Sequence, residues 1–416
     1  MNSNPEVVMT GVAVVSSIGN GHEQFWQSLI DGASGVRVRE RFANTDLPFR
    51  IAAPVVGFDP KQYVKPRKAL KIMCDPIRFG CAAAAMAVEQ AGISKESTES
   101  ERIGTVFGTE TFFADPNEVA DVFQKCTVDQ DYQHDRWGEF AMREIQPLWM
   151  LKYLPNMAAS HISIALDARG PSNSICQGEV SGLLALIEAA DLIQRGSADV
   201  VIAGGTGSQM ALSAMLYRGT ASLSNRIYEP ENAVRPFAVD RDGSVAGEGA
   251  GAIVLESAEH AAARGATPLA KMAGWSRSFQ NPKHEDYSLA LQNSYNVALQ
   301  RAGVDASDIG LVNAHASGSL RFDKVEADAI ANVFGETPVV AHKSNFGNIG
   351  PGTSIVELIG AVLAKQNAVV PATLNCDVID PECKVNVIRS KSPIVEGGIL
   401  KSSFSATGQM GSVVLV

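Results

Sequence analysis

The sequence predicts an α/β fold with a mostly parallel sheet, built from two halves of similar pattern. Three observations carry that expectation. Short apolar runs alternate with longer helical patterns along the chain. Val200-Val201-Ile202-Ala203-Gly204-Gly205, after Asp199, is apolar on both faces, as a strand of a covered parallel sheet must be. Leu183-Leu184-Ala185-Leu186-Ile187 is apolar almost all round, which places a helix inside a large core rather than on its surface.

The elements follow in order. Val7 to Val15 reads as a strand and Ser16 to Gly21 as a turn, followed by a helix carrying Phe25, Leu29 and Ile30. Phe49 to Phe58 reads as irregular or extended. Tyr63 to Ile77, with Arg78, is a basic cluster in an acidic protein. An Ala-rich helix near Ala82 to Ala91 can pack closely, and Ile103 to Gly108 is a strand. Asp115 to Trp149 is polar and aromatic, with the pattern of loops and short helices. Ser174 to Cys176 reads as a short buried strand, followed by a helix from about Glu179 to Arg195 that Gly196 stops. Asp240-Arg241-Asp242-Gly243 forms a loop. Gly247-Glu248-Gly249-Ala250-Gly251 then leads into a strand; a dinucleotide-binding glycine loop needs a helix there, so that reading is rejected.

The second half repeats the alternation. Strands are expected at 269–275, 309–314 and 339–341, helices at 289–302, 322–334 and 354–367, and a closing strand pair at 398–403 and 411–416. The division falls at residues 1–257 and 258–416.

Composition bounds the function. A chain of 416 residues with 45% hydrophobic content can bury a large core, as one domain or two fused ones. A net charge of −10 argues against nucleic acid and anionic membrane as partners. No apolar run reaches membrane-spanning length, and Met1 to Glu6 has neither a basic region nor an apolar signal core. The cytoplasm is the simplest expectation. Six cysteines without a Cys-x-x-Cys pair, and seven scattered histidines, indicate reduced thiols and no metal site.

The informative stretch is Ser174-Ile175-Cys176-Gln177-Gly178-Glu179-Val180-Ser181-Gly182. A strand that turns sharply into a buried helix presents a side chain at the helix N-terminus, where free N–H groups favour negative charge. Enzymes use such an elbow to activate a nucleophile. Here the presented group is a carboxylate. With the upstream turn Arg169-Gly170-Pro171-Ser172, the chain resembles the β-ketoacyl synthases of the thiolase fold. In that family the nucleophilic cysteine stands nine residues after the Gly of the Gly-Pro-Ser turn, followed by a small residue, Ser and Gly. Nine residues after Gly170 stands Glu179, followed by Val180-Ser181-Gly182. The resemblance covers nearly the whole chain and implies a duplicated, five-layered α-β-α-β-α architecture.

A working ketosynthase resembling this chain also needs two histidines, which polarise the malonyl thioester carbonyl and stabilise the enolate as carbon dioxide leaves. The first is present as His315 in Val312-Asn313-Ala314-His315-Ala316-Ser317-Gly318-Ser319. The helix start Asp323-Lys324-Val325-Glu326 after it also matches. In Lys343-Ser344-Asn345-Phe346-Gly347-Asn348 the family lysine is Lys343, but Asn348 replaces the second histidine. Asn donates a hydrogen bond and carries no titrating proton. In the C-terminal Ser402-Ser403-Phe404-Ser405-Ala406-Thr407-Gly408, Ala406 stands at the gating phenylalanine.

Cys176 lies before the elbow and on a different face from Glu179, so it is expected to be inert. As a purely structural group, Glu179 would accept backbone N–H bonds at the helix start, or plug a dead pocket and pair across a dimer interface. Its negative charge would repel a malonyl carboxylate, which weighs against decarboxylation.

A ketosynthase-like chain without its cysteine resembles the chain-length factors of type II polyketide synthases. The resemblance implies a heterodimer with a catalytic ketosynthase and a tunnel for the growing aromatic polyketide or polyene chain. It implies no cofactor of its own, because phosphopantetheine arrives on the acyl carrier protein. Thr111, Phe112 and Phe113 align with a segment that lines the acyl pocket and are candidates for the tunnel's end; ordinary core packing of the two aromatics is the alternative. Arg67 and Lys68 match a carrier-protein contact, with a solvated face as the alternative. The competing functions are a malonyl-carrier-protein decarboxylase and an atypical stand-alone synthase.

Overall fold

A computed structural model describes residues 5–94, 97–281 and 287–416. The first four residues of the N-terminal stretch therefore lie outside the described residues.

The two-faced apolar strands assemble into one continuous sheet. Starting at its middle, Val7–Ser16 pairs antiparallel with Glu248–Ser257, which pairs antiparallel with Val200–Ser208. Val200–Ser208 pairs parallel with Ile103–Gly108, and that strand parallel with Ser172–Ile175 at the edge. On the other side of the middle, Ala270–Phe279 pairs antiparallel with Gln409–Leu415 and that strand antiparallel with Gly398–Phe404. Ile309–Asn313 and Pro338–Val340 then continue in parallel. Both sides thus read antiparallel, antiparallel, parallel, parallel from the centre outward, so the sheet is mixed rather than mostly parallel: only its outer strands pair in parallel. Val7–Ser16 and Ala270–Phe279 join them through three residue pairs.

Burial converts this duplication into layers. The helices Ser181–Gln194 and Thr353–Asn367 share one core cluster with Val12, Val201 and Ile253 from one half-sheet and Leu311, Ile399 and Val413 from the other. They form the central layer, which is why both are apolar almost all round. Asp75–Ala91 and Met157–Leu166 cover the outside of the first half-sheet. Tyr287–Ala302 and Leu320–Phe334 cover the second. This is the five-layered, thiolase-like arrangement.

The strand expected at 269–275 runs on to Phe279, and three local boundaries near the site also depart from expectation. The Ala-rich helix begins at Asp75, because Pro76 is accepted in a first helical turn and Asp75 supplies negative charge there. The helix after the elbow begins at Ser181, so Glu179 precedes it. The strand before the elbow is Ser172–Ile175, and it is not buried: it is the edge of the sheet, with Ser172 and Asn173 exposed. Its polar Ser-Asn-Ser sequence suits a strand with one unpaired side.

All six cysteines are unpaired; Cys176 is exposed and burial pushes the Cys81 thiol up to about 12. Among the described residues no three His, Cys, Asp or Glu side chains cluster as metal ligands, and no helix is long and apolar enough to cross a membrane.

Candidate functional site

The elbow is built by Gly178 and Ser181. Gly178 has a φ of +71°, a conformation that costs glycine little. The Ser181 hydroxyl accepts from Gln177 N at 2.7 Å and donates to the Gly178 carbonyl at 2.6 Å. Gly182 then lets the helix approach the loop after Asn348: a Cβ here would stand 2.5 Å from the Pro351 carbonyl oxygen. This approach brings Glu179 to Asn348 across 169 residues of sequence.

Asn348 is held by its own surroundings. Its Oδ1 accepts from Gly350 N at 2.8 Å and from the Thr353 hydroxyl at 3.3 Å. The amide nitrogen therefore faces Glu179 and donates to Oε1 at 2.9 Å. His315 is held from below. Its backbone N and that of Ala316 each donate to Glu326 at 2.7 Å. Ser317 N and Gly318 N donate to Asp323 at 2.9 and 3.1 Å. Thus the Asp323–Glu326 helix start folds the loop that presents the imidazole. Arg241 of the Asp-Arg-Asp-Gly loop is buried beside it, 3.9 Å from Asp323 and 2.6 Å from Asp380.

The His315 ring completes the site. Its Nε2 lies 3.2 Å from Glu179 Oε2. Its Nδ1 faces two donors, Lys343 Nζ and the Ser403 hydroxyl, each at 3.4 Å. That arrangement assigns the proton to Nε2, directed at Glu179. Phe404 packs on the ring, with centroids 4.5 Å apart.

Lys343 continues inward. It is fully buried, contacts the His315 carbonyl and lies 3.0 Å from Glu357. The other oxygen of Glu357 meets Lys401 at 2.6 Å, and Lys401 also donates to the Ala314 carbonyl at 3.2 Å. Sequence reasoning missed Glu357 and Lys401. The available signal was a lone carboxylate in a helix apolar all round, and a lysine in a strand covered on both faces.

The electrostatics favour an ionised Glu179. Burial pushes its carboxyl up, but His315, Lys343 and the Asn348 amide outweigh burial and hold it at about 2. The side chain as a whole is 32% exposed, while Oε2 itself is withdrawn from solvent. The expectation that Glu179 would accept backbone N–H bonds at the helix start is replaced: its carboxylate turns across to His315 and Asn348. Asn348 Nδ2 donates a hydrogen bond to Oε1, while His315 Nε2 meets Oε2 as a charge contact at 3.2 Å without hydrogen-bond geometry, so the two polar groups converge on one anionic oxygen pair where an oxyanion would develop. Here the protein's own carboxylate fills that space.

The other sequence candidates are distributed as follows. Thr111, Phe112 and Phe113 line a cavity of about 580 Å³. Phe112 is buried, and the Arg218 guanidinium lies over the Phe113 ring at 5.6 Å. Between this segment and the Asn348 loop sits Glu110, almost fully buried. It accepts from Gln209 at 3.0 Å and pairs with Arg218. Ala406 is exposed and does not line that cavity; its carbonyl accepts from the Tyr287 hydroxyl at 3.1 Å. Cys176 meets the Thr109 hydroxyl at 3.4 Å rather than Glu179, His315 or Asn348. Arg67 and Lys68 are exposed at the start of a short 3-10 helix, Arg67–Ile72.

Comparison with known proteins gives the family and the fold. Residues 4–261 match the family model described as the β-ketoacyl synthase N-terminal domain, and 269–377 that of its C-terminal domain. A 3-oxoacyl-[acyl-carrier-protein] synthase 2 of Coxiella burnetii is 31% identical over 98% of this chain and 98% of its own length. Among solved structures, the ishigamide ketosynthase/chain length factor superposes with a TM-score of 0.85 at 26% identity, over 99% of both chains. A type II PKS acyl-carrier protein in complex with its ketosynthase bound to the hexaketide gives 0.84 at 25% identity, again over 99% of both.

Proposed function

The chain belongs to the β-ketoacyl synthase family, and from that premise we propose that it is a non-catalytic chain-length factor. In this reading it pairs with a catalytic ketosynthase in the condensing heterodimer of a type II polyketide synthase and shapes the tunnel for the growing chain. One observation carries the reading: at the nucleophile's position stands a carboxylate, which accepts from Asn348 Nδ2 and stands 3.2 Å from His315 Nε2, in the space a thioester carbonyl would need. Acyl transfer requires a nucleophile and an open oxyanion site, and neither is available.

The surface supports a partner. Ser172–Ile175 leaves one side of the sheet edge unpaired, and Met142, Leu148, Leu216 and Tyr217 expose 63–87% of their surfaces. An open strand edge and exposed large apolar groups are what an obligate partner covers. Arg67 and Lys68 are proposed to meet the acidic carrier protein, and the units 1–257 and 258–416 to be the two duplicated halves. The solved ketosynthase/chain length factor supports the assignment by its likeness.

The synthase named among the relatives favours a second reading, a stand-alone enzyme of atypical site or a malonyl-carrier-protein decarboxylase. The ionised Glu179 weighs against both, because it repels the malonyl carboxylate and fills the enolate's site.

The tunnel part of the proposal is tested with the cognate ketosynthase present. Phe112→Ala and Phe113→Ala each remove an aromatic wall from the 580 Å³ cavity, so the complex should release a longer product, read by mass spectrometry. Unchanged product length in both variants would remove Thr111, Phe112 and Phe113 from the tunnel's end.

A further inference from the structure

The 580 Å³ cavity has a second feature that chain-length control does not explain: its charges are unequally satisfied. Asp75 is paired with Arg78 at 2.7 Å, and Lys152 with Glu118 at 3.0 Å. Asp115 is engaged by Asn117 through two N–H groups, at 3.0 and 2.9 Å. Glu248 accepts from Val55 N at 3.1 Å and the Ser208 hydroxyl at 3.3 Å, and burial pushes its carboxyl up to about 7. At neutral pH it therefore carries less than a full negative charge.

That leaves Arg39 and Arg41. Neither forms a salt bridge among the described residues; Glu248 of the same wall attracts Arg39 without contacting it. Arg39 Nη1 is withdrawn from solvent with no hydrogen-bond partner, a costly state for a guanidinium nitrogen. Both guanidinium groups lie against the Phe42 ring, at 4.8 and 5.5 Å from its centroid, which brings them to one part of the cavity wall. All three side chains line the cavity, whose remaining wall includes Met73, Phe112 and Met210. Its volume is within the range of about 300–1,000 Å³ usual for small-molecule sites.

We propose that this cavity binds an anionic oxygen group, carboxylate or phosphate, carried on a short apolar body, with Arg39 and Arg41 as the fork that receives the anion. A planar guanidinium with free N–H groups matches the geometry of either anion, and the aromatic and methionine wall suits the apolar part. The site lies in the cavity that Thr111, Phe112 and Phe113 of the proposed tunnel end also line, but it does not rest on the chain-length reading, since it requires neither partner nor product.

The test is calorimetric titration of the full chain, alone, with octanoate, octyl phosphate and the uncharged octanamide at low ionic strength. At least one anion should bind about tenfold or more tighter than octanamide, the discrimination expected of a charge-assisted pair. Tighter octyl phosphate would assign the site to a phosphate-bearing ligand, and octanoate equal or tighter to a carboxylate. The Arg39→Gln/Arg41→Gln pair should abolish the preference for the anion. Arg41→Gln alone, on the exposed turn Glu40–Phe42, should weaken it without touching the fold. Octanamide binding as tightly as both anions, no binding of any probe, or an undiminished anion preference in Arg41→Gln and the double variant would overturn the proposal.

Discussion

Glu357→Gln should cost the protein about 3–5 kcal/mol of stability, enough to leave much of it unfolded, because it strands two buried lysines. Lys343 and Lys401 are fully buried, and Glu357 bridges them at 3.0 and 2.6 Å. Burial alone would push the Glu357 carboxyl up; Lys343 and Lys401 reverse that and hold it low. Glutamine keeps the size and one hydrogen-bond acceptor but removes the charge that both ammonium groups need. Lys401→Met is the contrasting substitution. It keeps the Lys343–Glu357 pair and replaces a buried charge by an apolar chain of similar length, so its effect should be much smaller. Urea unfolding of the three proteins measures this. A Glu357→Gln midpoint close to that of the wild type would mean that the triad does not support the site.

The second large effect is a gain. Replacing Glu179 by Cys and Asn348 by His in one chain should turn a protein that takes up no acyl group into one acylated at position 179. The other groups around position 179 are in place. The Ser181–Gln194 helix offers its N-terminus to a thiolate. His315 already points Nε2 at the spot, and Lys343 stands behind it. The thiolate would attack the acyl carbonyl of the carrier thioester, and the pantetheine thiol would leave as the new thioester forms. Glu179→Cys alone frees both donors but supplies one imidazole. It should react more slowly than the double variant, because Asn348 keeps a hydrogen-bond donor at the site but carries no titrating proton. Intact-protein mass spectrometry distinguishes these outcomes. A folded double variant that stays unacylated would show that the elbow no longer presents its side chain as a ketosynthase does.

Much of this arrangement was legible in the sequence. Strands such as Val200–Ser208 and helices such as Ser181–Gln194 announce themselves because burial on both faces leaves no polar side to confuse the pattern. The elbow's departure was legible because spacing from Gly170 identifies position 179 whatever residue stands there. What Glu179 touches was not legible. Its partners come from loops 136 and 169 residues away, brought in by the close approach of Gly182 to Pro351. The Glu357–Lys401 pair was hidden because each charge is isolated in an apolar segment and becomes sensible only with the other. The short strand that the sequence places at Ser174 to Cys176 in the core is Ser172–Ile175 at the sheet edge, and that position is a property of topology.

The central claim is that Glu179 has closed the condensing site, and one measurement addresses it directly. The wild-type chain is incubated alone with malonyl and acyl carrier proteins, while its intact mass and the release of carbon dioxide are followed. The same assay is run with a cognate ketosynthase. The account predicts an unmodified chain and no carbon dioxide when it is alone, and condensation with acylation confined to the ketosynthase when the two are together. An acyl adduct on this chain, or malonyl decarboxylation by it alone, would contradict the account and make Glu179 or Cys176 a reacting group.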